Sequence, residues 1–194
     1  MLDRRDVVKT LLKDRGDLLV VAGLGASAWD ITAAGDNDLN FPLWGGMGGA
    51  VTVGLGLALA QPTRSVLVIT GDGEMLMGLG SLATLAVSTP KNLSVVVLDN
   101  ERYGETGSQK THTAFGVDLV SIAKGCGFCR LRLVHSQGQV SLLREDIHKI
   151  NGCLFSVIKI SDTNADLVLP PRDGTELKNR FRKKLLGKLA MHQN

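Results

Sequence analysis

Two short stretches place oxygen-rich side chains at the ends of apolar runs. "VITGDGEM" (68–75) ends in Asp72, and "VVLDNERYG" (96–104) ends in Asp99 and Asn100, with glycines flanking both clusters. A carboxylate and a carboxamide are hard oxygen donors, and Mg²⁺ is held by one or two carboxylates together with phosphate oxygens. Gly71 and Gly73 allow a sharp turn and a close backbone approach, so the N–H groups of Gly73 and Glu74 can face a phosphate at a helix N-terminus. Asp72 repels such a phosphate unless a divalent cation lies between them. Asn100 adds a neutral amide oxygen, and the turn through "ERYG" can present a main-chain carbonyl. Glu74 reads as a first-turn acid favoured by the helix dipole rather than as a catalytic acid. The chemistry expected is one cation shared by two strand ends, holding a diphosphate.

The elements that must position these groups follow from periodicity. Residues 3–15 form an amphipathic helix around Val7, Val8, Leu11 and Leu12, and "DLLVVAG" (17–23) is a strand. A helix follows in "ASAWDITAA", while 35–45 has turn chemistry without periodicity. Next come helix 46–60, strand 65–70, helix 74–88, strand 93–99, a long loop 100–116, helix 117–125, strand 129–134, helix 137–149 and strand 153–160. Strands apolar on both faces, alternating with helices, predict an α/β fold: a three-layer, doubly wound parallel sheet. In such sheets ligands bind beyond the C-terminal strand ends, where both acidic clusters fall. The 25 residues between Gly73 and Asp99 are one helix plus one strand, which puts the two clusters side by side.

Composition sets the remaining bounds. The chain has 194 residues, 44% hydrophobic and 21% charged, enough for one sizeable domain, taken as 1–160, plus an extension, 161–194. The net charge of +3 is a tail property, because residues 172–194 carry seven Lys/Arg against Asp173 and Glu176. The body therefore gives no case for nucleic-acid binding. Leu177, Phe181, Leu185 and Leu189 recur every four residues as one stripe of a basic C-terminal helix, expected to dock on its own domain or a neighbouring subunit. "MLDRRDVVK" lacks the apolar core of a secretory leader, and the longest apolar stretch, 16 residues at 45–60, is short of the roughly 20 that span a membrane. Cys126, Cys129 and Cys153 fit a reducing cytoplasm better than a disulfide framework.

GDG, about 25 residues, and then an Asn-Asn-like pair followed by "xYG" resembles the binding motif of the thiamine-diphosphate-dependent decarboxylase-type enzymes. The resemblance covers roughly residues 16–160 and implies the diphosphate-binding type of domain, with thiamine diphosphate and Mg²⁺ as cofactors. Carried over, the metal ligands are Asp72, Asn100 and the main-chain carbonyl of Arg102. Asp99 stands where the family has its first Asn, a position that does not bind the metal. "LWGGMGGA" (43–50) is similar to the family's "GxMG" element. There Met47 would wedge beneath the cofactor, with the Gly45 carbonyl accepting from its 4′-amino group and Gly46 beside them. Tyr103 and Gly104 complete the motif.

The family's cofactor also needs a glutamate from a pyrimidine-binding domain, which this chain lacks. The resemblance thus implies a separate α subunit supplying that glutamate, in an α₂β₂-like assembly. "LDNERYGETGSQKTHT" is similar to the "NNxxYGxTGxQ" stretch of the sulfopyruvate and phosphonopyruvate decarboxylases. That implies a 2-oxo acid decarboxylase subunit yielding an aldehyde and CO₂. "GLGASAWD" (23–30) keeps Ser27 of that group's Ser-Arg-Glu but has Ala28 and Trp29 for the charged pair, so another 2-oxo acid, an acyloin-forming carboligase or a non-catalytic regulatory subunit stays open. His112 is the candidate proton carrier, and Gln109 the candidate for orienting substrate.

"VVAGLGASA" (20–28) also matches G-x-G-x-x-A of nicotinamide-dependent oxidoreductases, but no strand-end acid lies about 20 residues on. In the thiamine reading Gly25 and Ser27 of this turn hold the far end of the diphosphate. Cys126-Gly-Phe-Cys129 is a single CxxC without a second pair or a histidine at zinc spacing, and reads as structural.

Overall fold

In the computed structural model, which describes residues 1–163 and 165–191, six parallel strands form one sheet in the order β2–β1–β3–β4–β8–β7. The strands are β1 (Leu19–Ala22), β2 (Asn40–Pro42), β3 (Val66–Gly71), β4 (Leu93–Asp99), β7 (Arg130–Val134) and β8 (Leu154–Lys159). A separate two-stranded antiparallel hairpin, β5 (Arg102–Tyr103) with β6 (Gln109–Lys110), rises from the loop after β4.

Side-chain alternation splits each central strand between two apolar layers. Leu19, Val21, Val66, Val68, Val95 and Val97 face a layer roofed by α3 (Ala50–Ala60), α5 (Ser81–Ser88) and α6 (Leu119–Gly125). Val20, Ala22, Leu67, Ile69, Val96 and Leu98 face the opposite layer, under α1 (Arg4–Leu11), α2 (Ala26–Ala33) and α7 (Gln137–Ile147). Burial on both faces explains why these strands read as unbroken apolar runs. The chain leaves β1 outward to β2 and returns past it to β3, so a topological switch point opens between the C-terminal ends of β1 and β3.

Three expectations need correction. Residues 35–45 are not all turn: Asn40–Pro42 pair with β1 as the edge strand β2, too short for a period, with Pro42 tolerated at an edge. The helix expected over 74–88 is two helices, α4 (Asp72–Met77) and α5, broken at Gly78. A Cβ on Gly78 would lie 2.2 Å from the Gly48 carbonyl oxygen, so the break lets the 45–49 loop press against the end of α4. The helix expected from residue 46 begins at Ala50 for the same reason: the glycines before it form that loop.

The C-terminal helix α8 (Gly174–Leu186) docks on the edge of its own sheet. Leu177 and Phe181 are buried, and Phe181 meets Phe41 of β2 edge-on at 5.3 Å between ring centres. Arg180 grips Asp36 with two bonds of 2.6 and 2.7 Å. The stripe stops at Leu185, since Gly187 ends the helix and leaves Leu189 61% exposed. Asn164 and residues 192–194 of the extension lie outside the described residues. Among the described residues no helix is long and apolar enough to cross a membrane.

Candidate active site

Asp72 is the first residue of α4, at the C-terminal end of β3, and is 1% exposed. Its Oδ2 accepts from the Thr111 hydroxyl at 2.5 Å and from Thr113 at 3.2 Å. Thr113 lies 2.9 Å from Asp99 Oδ1 as well, its single hydroxyl proton shared between the two carboxylates, so one threonine ties the two strand ends together. Burial pushes the Asp72 carboxyl up to about 6, the threonine hydroxyls pull it down, and the Asp99 charge adds to the rise. Asp99 is itself buried and is balanced from behind by Lys159 of β8, whose Nζ lies 2.9 Å from Asp99 Oδ2 and 2.6 Å from Glu101 Oε1. Sequence reading missed that counterion, because nothing local links residue 159 to residue 99; adjacent strand ends do.

Asn100 heads a tight turn in which its Oδ1 accepts from the Arg102 N–H at 3.1 Å. The carbonyls of Glu101 and Tyr103 accept N–H groups from the β6 side, from Thr111 and Ser108. Carbonyls alternate along a strand, so the Arg102 carbonyl between them faces away from β6. The Tyr103 ring lies against Gly73, where a Cβ would come within 2.4 Å of it.

Glu74 corrects its expectation. It is no solvent-side helix charge: it is 4% exposed and accepts from the Thr70 hydroxyl at 2.8 Å and the N–H groups of Gly48 and Ala50 at 3.3 and 3.4 Å. Burial raises its pKa above the usual carboxyl range against those bonds. Its carboxylate thus clamps the loop that carries Met47 to the GDG turn.

These groups surround one cavity of about 460 Å³ at the switch point. Gly71, Asp72, Gly73 and Glu74 line it from β3 and α4, Asn100, Arg102, Tyr103 and Gly104 from the turn after β4, Ser27 from α2, and Met47 from the wedge loop. Gly45 and Gly46 precede Met47 with open space about their Cα atoms. Gly25 stands just outside, at φ +78°, covered by the Glu105 carboxylate. His112 is exposed at the start of a 3₁₀ turn, and Gln109 is exposed with its amide closed on Thr106, accepting at 2.9 Å and donating at 2.8 Å; neither lines the cavity. The three cysteines are unpaired, and burial pushes the Cys153 thiol up to about 12.

The donor set fits a hard divalent cation carrying a diphosphate. Two buried carboxylates, Asp72 and Asp99, crowd together, and the raised Asp72 carboxyl marks a place where a positive charge would be relieving. The other donors are an amide and a carbonyl oxygen, the ligands Mg²⁺ accepts. Met47, 38% exposed in the cavity wall, leaves an apolar surface for a flat ring.

Comparison with known proteins gives the family and the fold. The family described as "Thiamine pyrophosphate enzyme, C-terminal TPP binding domain" matches residues 25–155. The β subunit of sulfopyruvate decarboxylase from Methanothermobacter thermautotrophicus is 36% identical over 187 residues, covering 96% of this chain and 97% of that one. The corresponding subunit from Methanocaldococcus jannaschii is 43% identical over 125 residues, 64% of this chain and 66% of that one. Among solved structures, benzoylformate decarboxylase from Polynucleobacter necessarius superposes with a TM-score of 0.73 at 19% identity, over 86% of this chain and 34% of the other, a likeness of fold.

Proposed function

Since the chain belongs to the thiamine pyrophosphate enzymes, as their C-terminal TPP-binding domain, we propose that it is the cofactor-binding subunit of a two-chain 2-oxo acid decarboxylase acting on sulfopyruvate or a close analogue. The observation that carries this reading is Asp72 and Asn100 lining one cavity, in a chain that spans 97% of a decarboxylase β subunit. Residues 1–160 are the cofactor-binding unit and 161–194 a docking extension, in a cytoplasmic enzyme.

Asp72, Asn100 and the Arg102 carbonyl would hold Mg²⁺. The N–H groups of Gly73 and Glu74, with Tyr103 and Gly104 beside them, would receive the diphosphate, whose far end would reach Gly25 and Ser27. Thiamine diphosphate, when bound, supplies a nucleophilic carbon and a sink for the electrons left by CO₂. Met47, its loop fixed by Glu74, supports the ring from below, with the Gly45 carbonyl and Gly46 next to it. The activating glutamate comes from a separate pyrimidine-binding α subunit, in an α₂β₂-like assembly. Exposed Val53 and Leu59 on α3, Met77 on α4 and Val87 on α5 support a partner surface on this side of the sheet. His112 and Gln109, exposed in this chain, would meet substrate in the assembled site, His112 carrying a proton and Gln109 orienting the acid.

The test is CO₂ release from sulfopyruvate by this chain combined with its co-expressed partner, with Mg²⁺ and thiamine diphosphate. Activity is expected only with both chains, and Asp72→Asn should abolish Mg²⁺-dependent cofactor binding as well as turnover. Cofactor uptake without CO₂ release, but with condensation of two 2-oxo acids, would establish the carboligase instead.

A further inference from the structure

The cavity wall away from Asp72 carries charges that the preceding assignments leave unused. Asp30 of α2 is buried, its side chain wholly shielded, and accepts from two arginines of α1. Arg4 bonds it through Nε at 2.8 Å and Nη2 at 3.3 Å, and Arg5 through Nε at 2.8 Å. Two guanidiniums on one carboxylate leave one net positive charge. Arg4, with only 10% of its side chain exposed, faces the cavity together with Asp30, Ala26 and Ser27. Of the cavity's other charges, Arg102 is drawn toward Asp162 at 3.8 Å, and Asp72 and Glu74 lie on the opposite, β3 side.

A carboxylate already sits at this positive end. Glu105, from the hairpin turn between β5 and β6, accepts from the Ala26 N–H at 2.8 Å, the first turn of α2. It fills the space over Gly25 so closely that a Cβ there would lie 1.5 Å from Glu105 Oε1. Nothing buries Glu105: the residue is exposed, on a turn whose neighbours Gly104, Thr106, Gly107 and Ser108 are exposed as well. Its carboxylate is held there by one hydrogen bond, and withdrawing it to solvent breaks no other hydrogen bond or ion pair among the described residues.

We propose that the Arg4 end of the cavity, carried on Asp30, receives the terminal phosphate of the diphosphate, and that the Glu105 carboxylate occupies that seat until the phosphate displaces it. Glu105 is then an intramolecular competitor that sets how much cofactor is needed to load the site, and Arg4 is the fixed charge that both anions answer to. The proposal rests on the thiamine-diphosphate reading above.

All groups of the seat belong to this chain, so the full chain can be titrated with inorganic pyrophosphate and Mg²⁺, and then with thiamine diphosphate and Mg²⁺. Fluorescence of Trp29, which lines the cavity, and calorimetry report binding. Glu105→Gln is expected to bind both ligands about fivefold more tightly, the effect of removing one competing charge near a helix N-terminus. Arg4→Gln is expected to bind both about tenfold more weakly, as a lost charge-assisted phosphate contact would. Melting curves check that Arg4→Gln remains folded; exposed Glu105 tests the proposal independently of that variant. If the wild type binds and Asp72→Asn does not, yet Glu105→Gln binds as the wild type does, the inference falls while the thiamine reading stands. If neither the wild-type chain nor its complex with the partner subunit binds either ligand, the thiamine reading falls and the inference with it.

Discussion

Asp99 stands where the motif this sequence resembles has a neutral asparagine, and the structure gives its carboxylate a counterion. Its buried carboxylate is neutralised by Lys159 and bonded by Thr113, which in turn bonds Asp72. Removing only the lysine strands a buried charge, so Lys159→Met should destabilise by about 2 kcal/mol, less than a fully buried pair because Lys159 is a quarter exposed. Asp99→Asn added to Lys159→Met should recover most of that loss in urea denaturation; failure to recover would mean that Lys159 acts through packing alone. That residues 72 and 100 would meet at one strand-end cavity was legible, because the helix and strand between them bring two adjacent strand ends together. Glu74 was misread, since a first-turn glutamate has the same sequence signature whether it faces water or clamps a neighbouring loop. Only the contacts to Gly48 and Ala50 distinguish the two.

At the level of elements, the wedge loop and the α4–α5 break are one construction. Gly48 and Gly78 approach backbone to backbone, leaving no room for a methyl on residue 78. Gly78→Ala should push the 45–49 loop off α4, lower the melting temperature and weaken thiamine diphosphate binding, whereas Gly80→Ala, with open space around it, should change neither. Equal effects of the two alanines would show that helix propensity, not the close approach, governs this turn. The strands and most helices were readable because two-sided burial and helical periodicity leave strong patterns. β2 was not, since three residues hold no period, and the break at Gly78 was not, since an isolated glycine in an apolar run does not show what lies against it.

Across the whole molecule, the extension returns over the edge strand and is fastened there by Phe181, Arg180 and a bond from Trp44 Nε1 to the Pro171 carbonyl at 2.8 Å. The Arg180 hydrogen bonds hold the Asp36 carboxyl below its usual range, against a smaller opposing effect of burial. A depressed folded-state pKa contributes stability above the unfolded value and loses it as pH falls through the folded value. Asp36→Asn should therefore cost about 0.5–1 kcal/mol, limited by solvent screening, at pH 7 and equally at pH 5, and the gap should close below about pH 4 in urea titrations. A gap unchanged down to pH 3 would assign the contact to packing. By itself the sequence determined the parallel α/β architecture and the magnesium-diphosphate chemistry, because burial patterns and donor types are written locally along the chain. The tertiary structure alone decided which charges answer one another: Lys159 behind Asp99, Glu74 across to the wedge loop, and Arg4 and Arg5 on Asp30. Coulomb and hydrogen-bond energies depend on distance in space, and the fold brings together residues as far apart as Lys159 and Asp99, 60 positions, or Ala26 and Glu105, 79 positions, at the rim of one sheet.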